Sequence, residues 1–225
     1  MTMDTHAAGM AAAAELARPA CVLAVSGTSG AGKSTLIAET ASRLGGATRL
    51  HFDDYIVLGT DIAEITAWLE GGCDPNWLTT PRLVADLRQL IAGKAITRPN
   101  DSRLVHPAPV IILEEPFGRA RREIAPLIDF AVHIDVPPDV ALGRRILRDI
   151  QTQAESGQVS HAALLRDISG QLQSFLAVGR HAYRAAERSA RESADLVLDG
   201  LRPADELAAQ VLAQIAPALR ARPSP

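Results

Sequence analysis

Nine consecutive residues carry the strongest chemical signal in this sequence. They combine three glycines with a lysine and four hydroxyl side chains, in the order Gly27, Thr28, Ser29, Gly30, Ala31, Gly32, Lys33, Ser34 and Thr35. The spacing Gly27-x-x-x-x-Gly32-Lys33-Ser34 matches the Walker A pattern in full. Glycines let backbone N–H groups turn toward phosphate oxygens, the lysine adds a positive charge, and the serine hydroxyl can ligate Mg²⁺. The segment therefore predicts a site for nucleotide phosphates.

The segments on either side of this loop support the same interpretation. The apolar run Cys21 to Val25 predicts a buried strand leading in, and Thr35 to Ala41 predicts a helix leading out. A helix that begins there directs its positive N-terminus at the same anion. The sequence contains only two lysines, Lys33 and Lys94, and arginine supplies the rest of its positive charge. The general preference of this chain for arginine therefore does not explain the lysine in the loop, which supports a phosphate-binding role for Lys33.

Acidic residues follow two further predicted strands. Asp53 and Asp54 come after the strand expected at 47–52, and Glu114 and Glu115 come after the apolar strand expected at 109–113. Ligands of open parallel sheets bind beyond the carboxyl ends of the strands. One of the aspartates is expected to accept a proton from an attacking hydroxyl, and Glu114 to bind metal or substrate, while Glu115 points away. The alternatives are a turn or helix cap for the aspartates and a solvated strand end for Glu114.

Arginines surround a polar segment at 151–161 that we interpret as a small lid. Arg144 and Arg148 lie on the helix predicted before this segment, where guanidinium groups can reach phosphate. The arginines that could assist are Arg145, Arg166, Arg180 and Arg184. The alternative is a solvated helical face whose arginines pair with neighbouring acids.

The order of strand and helix signals predicts the fold. Strand and helix patterns alternate along the chain, which is typical of a parallel sheet wound with helices. We expect a three-layer α/β P-loop fold with a mostly parallel sheet of about five strands and helices on both faces. A small hairpin is expected at 95–105 and a closing amphipathic helix at 203–219. Residues 1–18 are expected to form a flexible tail, with one domain at 19–225.

Composition limits the classes of function. The net charge of −3 does not favour nucleic-acid binding, and Cys21 and Cys73 provide neither a disulfide framework nor a metal-binding spacing. No apolar stretch is long enough for a membrane span, and the N-terminus does not have the pattern of a signal peptide. We therefore expect a cytoplasmic protein with no membrane or nucleic-acid partner. A monomer and a homodimer both remain open.

Several segments resemble the family of P-loop kinases that includes uridine kinase, nicotinamide riboside kinase and phosphoribulokinase. The resemblance extends from about residue 20 to residue 200. The segments that carry it are the phosphate loop, His51-Phe52-Asp53-Asp54-Tyr55, Asp74-Pro75-Asn76-Trp77, Ile112-Leu113-Glu114-Glu115-Pro116-Phe117, Arg144-Arg145-Ile146-Leu147-Arg148-Asp149 and Ala194-Asp195-Leu196-Val197-Leu198. The chain differs from uridine kinases in a lid without arginine and in Glu115, which stands where the family has glycine.

The resemblance implies a role for each matching position. Asp53 corresponds to the catalytic base, Tyr55 to a residue that shapes the acceptor pocket, and Asp74 to a residue that holds acceptor hydroxyls. Trp77 is a further candidate for this pocket. Phosphate binding is assigned to the nine loop residues and Arg144. Lys33 and Arg148 are assigned to catalysis together with the base, Asp53. Ser34 and Glu114 are assigned to Mg²⁺ binding, and Glu114 is also assigned to substrate binding.

The predicted function is transfer of the γ-phosphate of ATP, with Mg²⁺, to a hydroxyl of a small molecule. A nucleoside such as uridine or cytidine, or a related ribosyl or vitamin compound, is the expected acceptor. The alternative is an ATPase or nucleotide-driven switch that acts on a protein partner. The sequence does not contain the Asn-Lys-x-Asp motif of guanine-specific switches.

Overall fold

The computed structural model describes residues 20–56, 62–156 and 160–220. Its strands are β1 (Cys21–Ser26), β2 (Thr48–His51), β3 (Ile96–Thr97), β4 (Leu104–Val105), β5 (Val110–Glu114), β6 (Phe130–Asp135) and β7 (Leu196–Asp199). Its α-helices are α1 (Lys33–Arg43), α2 (Ile62–Glu70), α3 (Pro81–Ile91), α4 (Pro138–Ser156), α5 (His161–Ser174), α6 (Arg180–Glu192) and α7 (Ala204–Arg220). Short 3-10 turns lie at Phe52–Asp54, Pro75–Trp77 and Ala125–Leu127, and a π-helical segment at Phe175–Gly179 joins α5 to α6.

Five of these strands form one parallel sheet in the order β2-β5-β1-β6-β7. This arrangement confirms the predicted α/β fold. The short strands β3 and β4 pair with each other in antiparallel orientation, as expected for the hairpin. Because β1 is central, the loop that follows it lies in the middle of the carboxyl edge of the sheet, between the ends of β5 and β6.

The sheet is buried on both faces, which explains why its central strands are continuously apolar. One face packs on α1 and α7, through a cluster that includes Leu23, Val25, Leu36, Ile37, Ile112, Ile134, Val211 and Ile215. The other face packs on α3, through a cluster that includes Val22, Ala24, Leu83, Leu87, Leu90, Ile111 and Leu113. Alternate residues of β1 therefore belong to opposite clusters, and the rigid sheet fixes where each strand ends.

Helix α1 begins within the phosphate loop because of its glycines. Gly32 occupies the N-cap position with a left-handed φ of 100°, and no side chain caps the helix. The first N–H groups of a helix have no intrahelical acceptor, so an uncapped start leaves them directed at the space in front of the loop. This geometry is suited to an anion.

One helix end and one helix cap differ from the sequence-based expectation. Helix α4 continues to Ser156, six residues beyond the predicted end at Ile150. Its added residues are mainly glutamine, alanine and glutamate, which are strong helix formers, so polarity alone did not mark a break. Residues 151–156 of the predicted lid are thus helical, and residues 157–159 and the predicted tail at 1–18 lie outside the described residues.

The start of α3 also differs in detail. Thr80 stands at the N-cap position and Pro81 at the first helical position, as predicted, but the Thr80 side chain does not cap the helix. Its hydroxyl instead accepts a hydrogen bond from Arg121. Across the described ranges, no helix is both long enough and apolar enough to cross a membrane.

Candidate active site

A cavity of about 660 Å³ lies beyond the carboxyl ends of β1, β2 and β5. It is lined by residues of the phosphate loop, of the ends of β2 and β5, and of helices α4 and α6: Gly27, Thr28, Ser29, Gly30, Gly32, Lys33, Ser34, Thr35, His51, Phe52, Asp53, Glu114, Pro116, Arg144, Arg148, Tyr183, Ala186 and Glu187. The structure therefore brings eight of the nine predicted loop residues together with the predicted base and arginines. Ala31, the ninth, is buried under the loop in the core beneath α1.

Lys33 connects the loop to the neighbouring strand. Its Nζ donates hydrogen bonds to the carbonyls of Gly27 and Thr28, at 2.9 and 3.2 Å. The same atom lies 3.4 Å from Oε1 of Glu114, and both side chains are only 12% exposed. The lysine charge is therefore held at the mouth of the loop, where phosphate oxygens are expected to bind.

Glu114 lies between two basic groups. Its second oxygen, Oε2, is 2.8 Å from Nδ1 of His51, which is the residue opposite it on β2. Burial raises the pKa of this carboxyl, but the hydrogen bond with His51 and the charge of Lys33 outweigh it, so the pKa lies below its usual value. Glu114 is consequently ionised at neutral pH and offers carboxylate oxygens to the cavity.

The structure separates the roles of the two neighbouring aspartates. Asp53 lines the cavity, whereas the Asp54 carboxylate accepts a hydrogen bond from the Asn100 amide at 3.0 Å. Partial burial and the nearby Glu114 carboxylate raise the pKa of Asp53 above its usual value. A carboxyl group whose pKa moves toward neutrality is better matched to proton transfer. Asp53 is thus the member of the pair that faces the cavity, and its role as the base stays a prediction.

Both arginines predicted to reach phosphate line the cavity. Nη1 of Arg144 donates to the carbonyl of Gly200, 2.9 Å away, which fixes this guanidinium against the turn after β7. The Arg148 side chain is 60% exposed, and its hydrogen bonds within the described residues go to the adjacent Asp149. Arg145, one position away, turns from the cavity and stacks over the rings of Phe175 and Tyr183.

Three residues predicted for the acceptor pocket do not line this cavity. The Tyr55 hydroxyl donates to Oδ2 of Asp86 at 3.1 Å, and burial with the nearby Asp86 charge raises the pKa of the phenol. The Asp74 carboxylate accepts hydrogen bonds from the backbone and side chain of Asn76 and so caps its own turn. Trp77 is 58% exposed. The first two side chains are thus engaged by other residues, and the acceptor roles of all three stay predictions.

Glu115 points away from the cavity, as the sequence analysis expected. It is fully buried beside Arg121, which is also fully buried and bonds both of its carboxylate oxygens, at 3.1 and 2.6 Å. Arg121 also donates to the carbonyl of Leu78 and the hydroxyl of Thr80. This pair ties the end of β5 to the segment that follows Trp77, so it has a positioning role.

Sequence reasoning missed six residues of the cavity wall, of which three are polar: His51, Tyr183 and Glu187. His51 ends β2 just before Asp53, so the strand-end argument used for the aspartates could have found it. Tyr183 and Glu187 lie one helical turn apart on α6, and the many charged residues of this helix are typical of a solvated helical face. No local signal marks them, because only the tertiary fold brings α6 to the loop.

The cavity contains donors suited to a magnesium ion. Ser34 and Glu114 both line it, and together they provide a hydroxyl and an ionised carboxylate. Mg²⁺ prefers hard oxygen ligands and usually bridges one or two protein groups to substrate phosphates. The residues therefore fit the ion that the sequence analysis expected.

The chain is similar to known kinases. The model of the phosphoribulokinase / uridine kinase family matches residues 87–199, which is half of the chain. A uridine kinase of Brevibacillus brevis is 30% identical over 147 residues, covering 60% of this chain and 69% of that protein. A uridine kinase of Lactobacillus helveticus is 28% identical over 148 residues, covering 60% and 70%. A solved sugar kinase from Janibacter sp. HTCC2649 aligns with a TM-score of 0.47 at 22% identity, covering 89% of this chain and 98% of that one.

Proposed function

We propose that this chain, which belongs to the phosphoribulokinase / uridine kinase family, transfers the γ-phosphate of ATP to a hydroxyl of a nucleoside. Family membership makes it a phosphotransferase that acts on the hydroxyl of a small molecule. The proposal adds the residues that perform the transfer and the class of acceptor. It is carried by one observation, the convergence of Lys33, Asp53 and Glu114 in a single cavity in front of an uncapped helix.

The phosphate loop binds and orients the nucleotide. The N–H groups at the start of α1 face the phosphates, and Lys33 places its charge against the β- and γ-phosphates. Arg144 and Arg148 approach from α4 and stabilise the charge that spreads over the transferred group. Positioning and electrostatics account for most of the catalysis of phosphoryl transfer, so these contacts are the main contribution of the chain.

Asp53 removes the proton of the acceptor. Its carboxylate accepts the hydroxyl proton as the acceptor oxygen forms a bond to the γ-phosphorus, while the bond from that phosphorus to the bridging oxygen breaks and ADP leaves. The raised pKa of Asp53 suits this role, because a stronger base accepts the proton more readily. Ser34 and Glu114 would hold Mg²⁺, which neutralises developing charge on the phosphate oxygens when bound.

The names of the relatives support a nucleoside as the acceptor, since the relatives reported above are named uridine kinases. The roles of Asp74 and Trp77 in holding this acceptor stay predictions from the sequence, because neither residue lines the cavity.

The test is ATP consumption by the purified protein with Mg²⁺, alone and with a panel of nucleosides, sugars and vitamins. We expect one nucleoside class to stimulate turnover. Asp53→Asn should lower kcat by about 10²- to 10⁴-fold and leave ATP affinity nearly unchanged. Lys33→Ala should instead abolish nucleotide binding, because it removes the charge at the mouth of the loop.

Asp54→Asn is the matched control, since it changes the adjacent carboxylate that contacts Asn100. It should retain most of the turnover. Equal losses in both variants would contradict the assignment of the base. Slow ATP hydrolysis that no small molecule stimulates would contradict the kinase proposal and favour a nucleotide-driven switch.

A further inference from the structure

Three side chains outside the proposed transfer chemistry converge between β6 and α6. His133 and Asp135 lie two residues apart on β6 and so project from the same face of the sheet. Glu187 reaches them from α6, and one ligand atom of each residue lies within 4.8 Å of the others. An imidazole and two carboxylates at this separation form a candidate site for a cation.

The imidazole of His133 is fixed by its neighbours on β1 and β6. The hydroxyl of Ser26 donates to the carbonyl of Val132 at 3.0 Å and lies 3.1 Å from Nδ1 of His133. A hydroxyl has one proton, so Ser26 can only accept at its second contact. When Ser26 donates to Val132, Nδ1 of His133 carries the ring proton and Nε2 keeps a lone pair, which is the tautomer that a metal ligand at Nε2 requires.

That lone pair has no hydrogen-bond donor. His133 is fully buried, and its Nε2 lacks a hydrogen-bond partner among the residues that the structure describes. Oε1 of Glu187, which is itself an acceptor, lies 3.9 Å from Nε2. Two acceptors that face each other in a buried space repel, and unpaired buried polar atoms are rare in folded proteins. A cation between them satisfies both.

Arginines of α6 also approach the two carboxylates. Arg191 forms an ion pair with Asp135, and both Arg191 and Arg184 lie close enough to Glu187 to act on its charge. It is the geometry of the three side chains and the unpaired Nε2 of His133 that favour a cation here.

We propose that Nε2 of His133 and the carboxylates of Asp135 and Glu187 bind a Zn²⁺ ion. Zn²⁺ commonly binds three protein ligands drawn from imidazole and carboxylate groups, with a fourth position for water. Mg²⁺ is a poorer fit, since it prefers oxygen ligands and retains its water. The hydrogen bond from Nδ1 to Ser26 supplies the second contact that orients a metal-binding histidine.

The ion joins two parts of the proposed active site. His133 pairs in register with Ser26, which directly precedes the phosphate loop, and Glu187 lines the cavity. A bound Zn²⁺ therefore fixes α6 against the strands that carry the loop. This is a structural role, separate from the transfer of phosphate.

The first experiment measures binding of Zn²⁺ and Co²⁺ to the nucleotide-free full chain, by titration calorimetry and by the absorption spectrum of the Co²⁺ form. We expect about one ion per chain with a low-symmetry, four- or five-coordinate Co²⁺ spectrum. Glu187→Gln should abolish this binding, and Glu192→Gln, an exposed residue on the same helix, should not. Ser26→Ala should weaken binding by about 10- to 100-fold, as expected for loss of an orienting partner.

A second control excludes the phosphate loop as the binding site. Glu114→Gln changes the carboxylate of the proposed magnesium site and should leave Zn²⁺ affinity unaltered. If Glu114→Gln removes binding and Glu187→Gln does not, the ion is at the loop and the proposal is wrong. Absence of stoichiometric binding to the wild-type chain also overturns it.

The tautomer of His133 provides a test that does not depend on a folded variant. Long-range ¹H–¹⁵N spectra distinguish a protonated from an unprotonated ring nitrogen. We expect Nδ1 protonated, and a change in the Nε2 shift when Zn²⁺ is added. A ring protonated on Nε2, or an Nε2 shift that Zn²⁺ leaves unaltered, would refute the assignment.

Discussion

The fully buried pair of Glu115 and Arg121 makes a strong prediction about stability. Arg121 forms five hydrogen bonds to side chains and backbone: two to Glu115 and one each to Leu78, Thr80 and Glu123. Arg121→Met removes all five and leaves a carboxylate buried without a counter-charge. Breaking a buried ion pair on one side costs about 3–5 kcal/mol.

This free energy converts into a measurable shift. One kcal/mol changes Tm by about 2–4 °C in a domain of this size, so Arg121→Met should lower Tm by about 6–20 °C. Urea denaturation should show a lower midpoint with an unchanged slope, because the folded structure is retained. Arg122→Met is the matched control, since it removes the same charge from the adjacent, exposed position. Its effect should fall within about 0.5 kcal/mol of zero.

A double variant separates charge from hydrogen bonding. Adding Glu115→Gln to Arg121→Met removes the unpaired carboxylate, so the double variant should be more stable than Arg121→Met alone. Recovery should be incomplete, because the Leu78 carbonyl and Thr80 hydroxyl still lack their donor. If Arg121→Met is no more destabilising than Arg122→Met, the pair does not hold the end of β5 in the way we describe.

Two further predictions follow from the loop and from the ionisation of its neighbour. In Gly30→Ala, the added Cβ at φ 92° would lie 2.1 Å from the Ala141 carbonyl oxygen, so the loop must shift. This shift should cost about 1–3 kcal/mol and weaken ATP binding measured by calorimetry. Gly93→Ala, where an added Cβ meets open space, should not change ATP affinity. The Glu114 pKa lies below its ordinary 4.5, so stability from its ionisation is present above that pH and lost as pH falls through the folded value. Glu114→Gln should therefore reduce the fall in Tm below about pH 4.5. If the variant loses as much Tm in acid as the wild type does, ionisation of Glu114 is not the source of this pH dependence.

The sequence by itself determined the fold and the phosphate site. Continuous apolar strands alternating with helical patterns predict a parallel sheet, and the Gly27 to Thr35 spacing predicts the loop, because both depend on neighbouring residues along the chain. The strand-end rule also predicted that Asp53 and Glu114 lie beside this loop, since parallel strands end at one edge. The local pattern gave a wrong prediction for the end of α4, because the polar residues after Ile150 continue the helix to Ser156.

Only the tertiary structure decided which side chains share a space. It directed Asp53 into the cavity and Asp54 to Asn100, although the two are adjacent in sequence. It also placed Glu187, some fifty residues beyond His133, against that buried imidazole. Such choices depend on packing between elements distant along the chain, where hydrogen-bond partners and burial are set by the whole fold. No local spacing encodes them, and so the sequence alone predicts the loop and the acids and arginines beside it, but not His51, Tyr183 and Glu187.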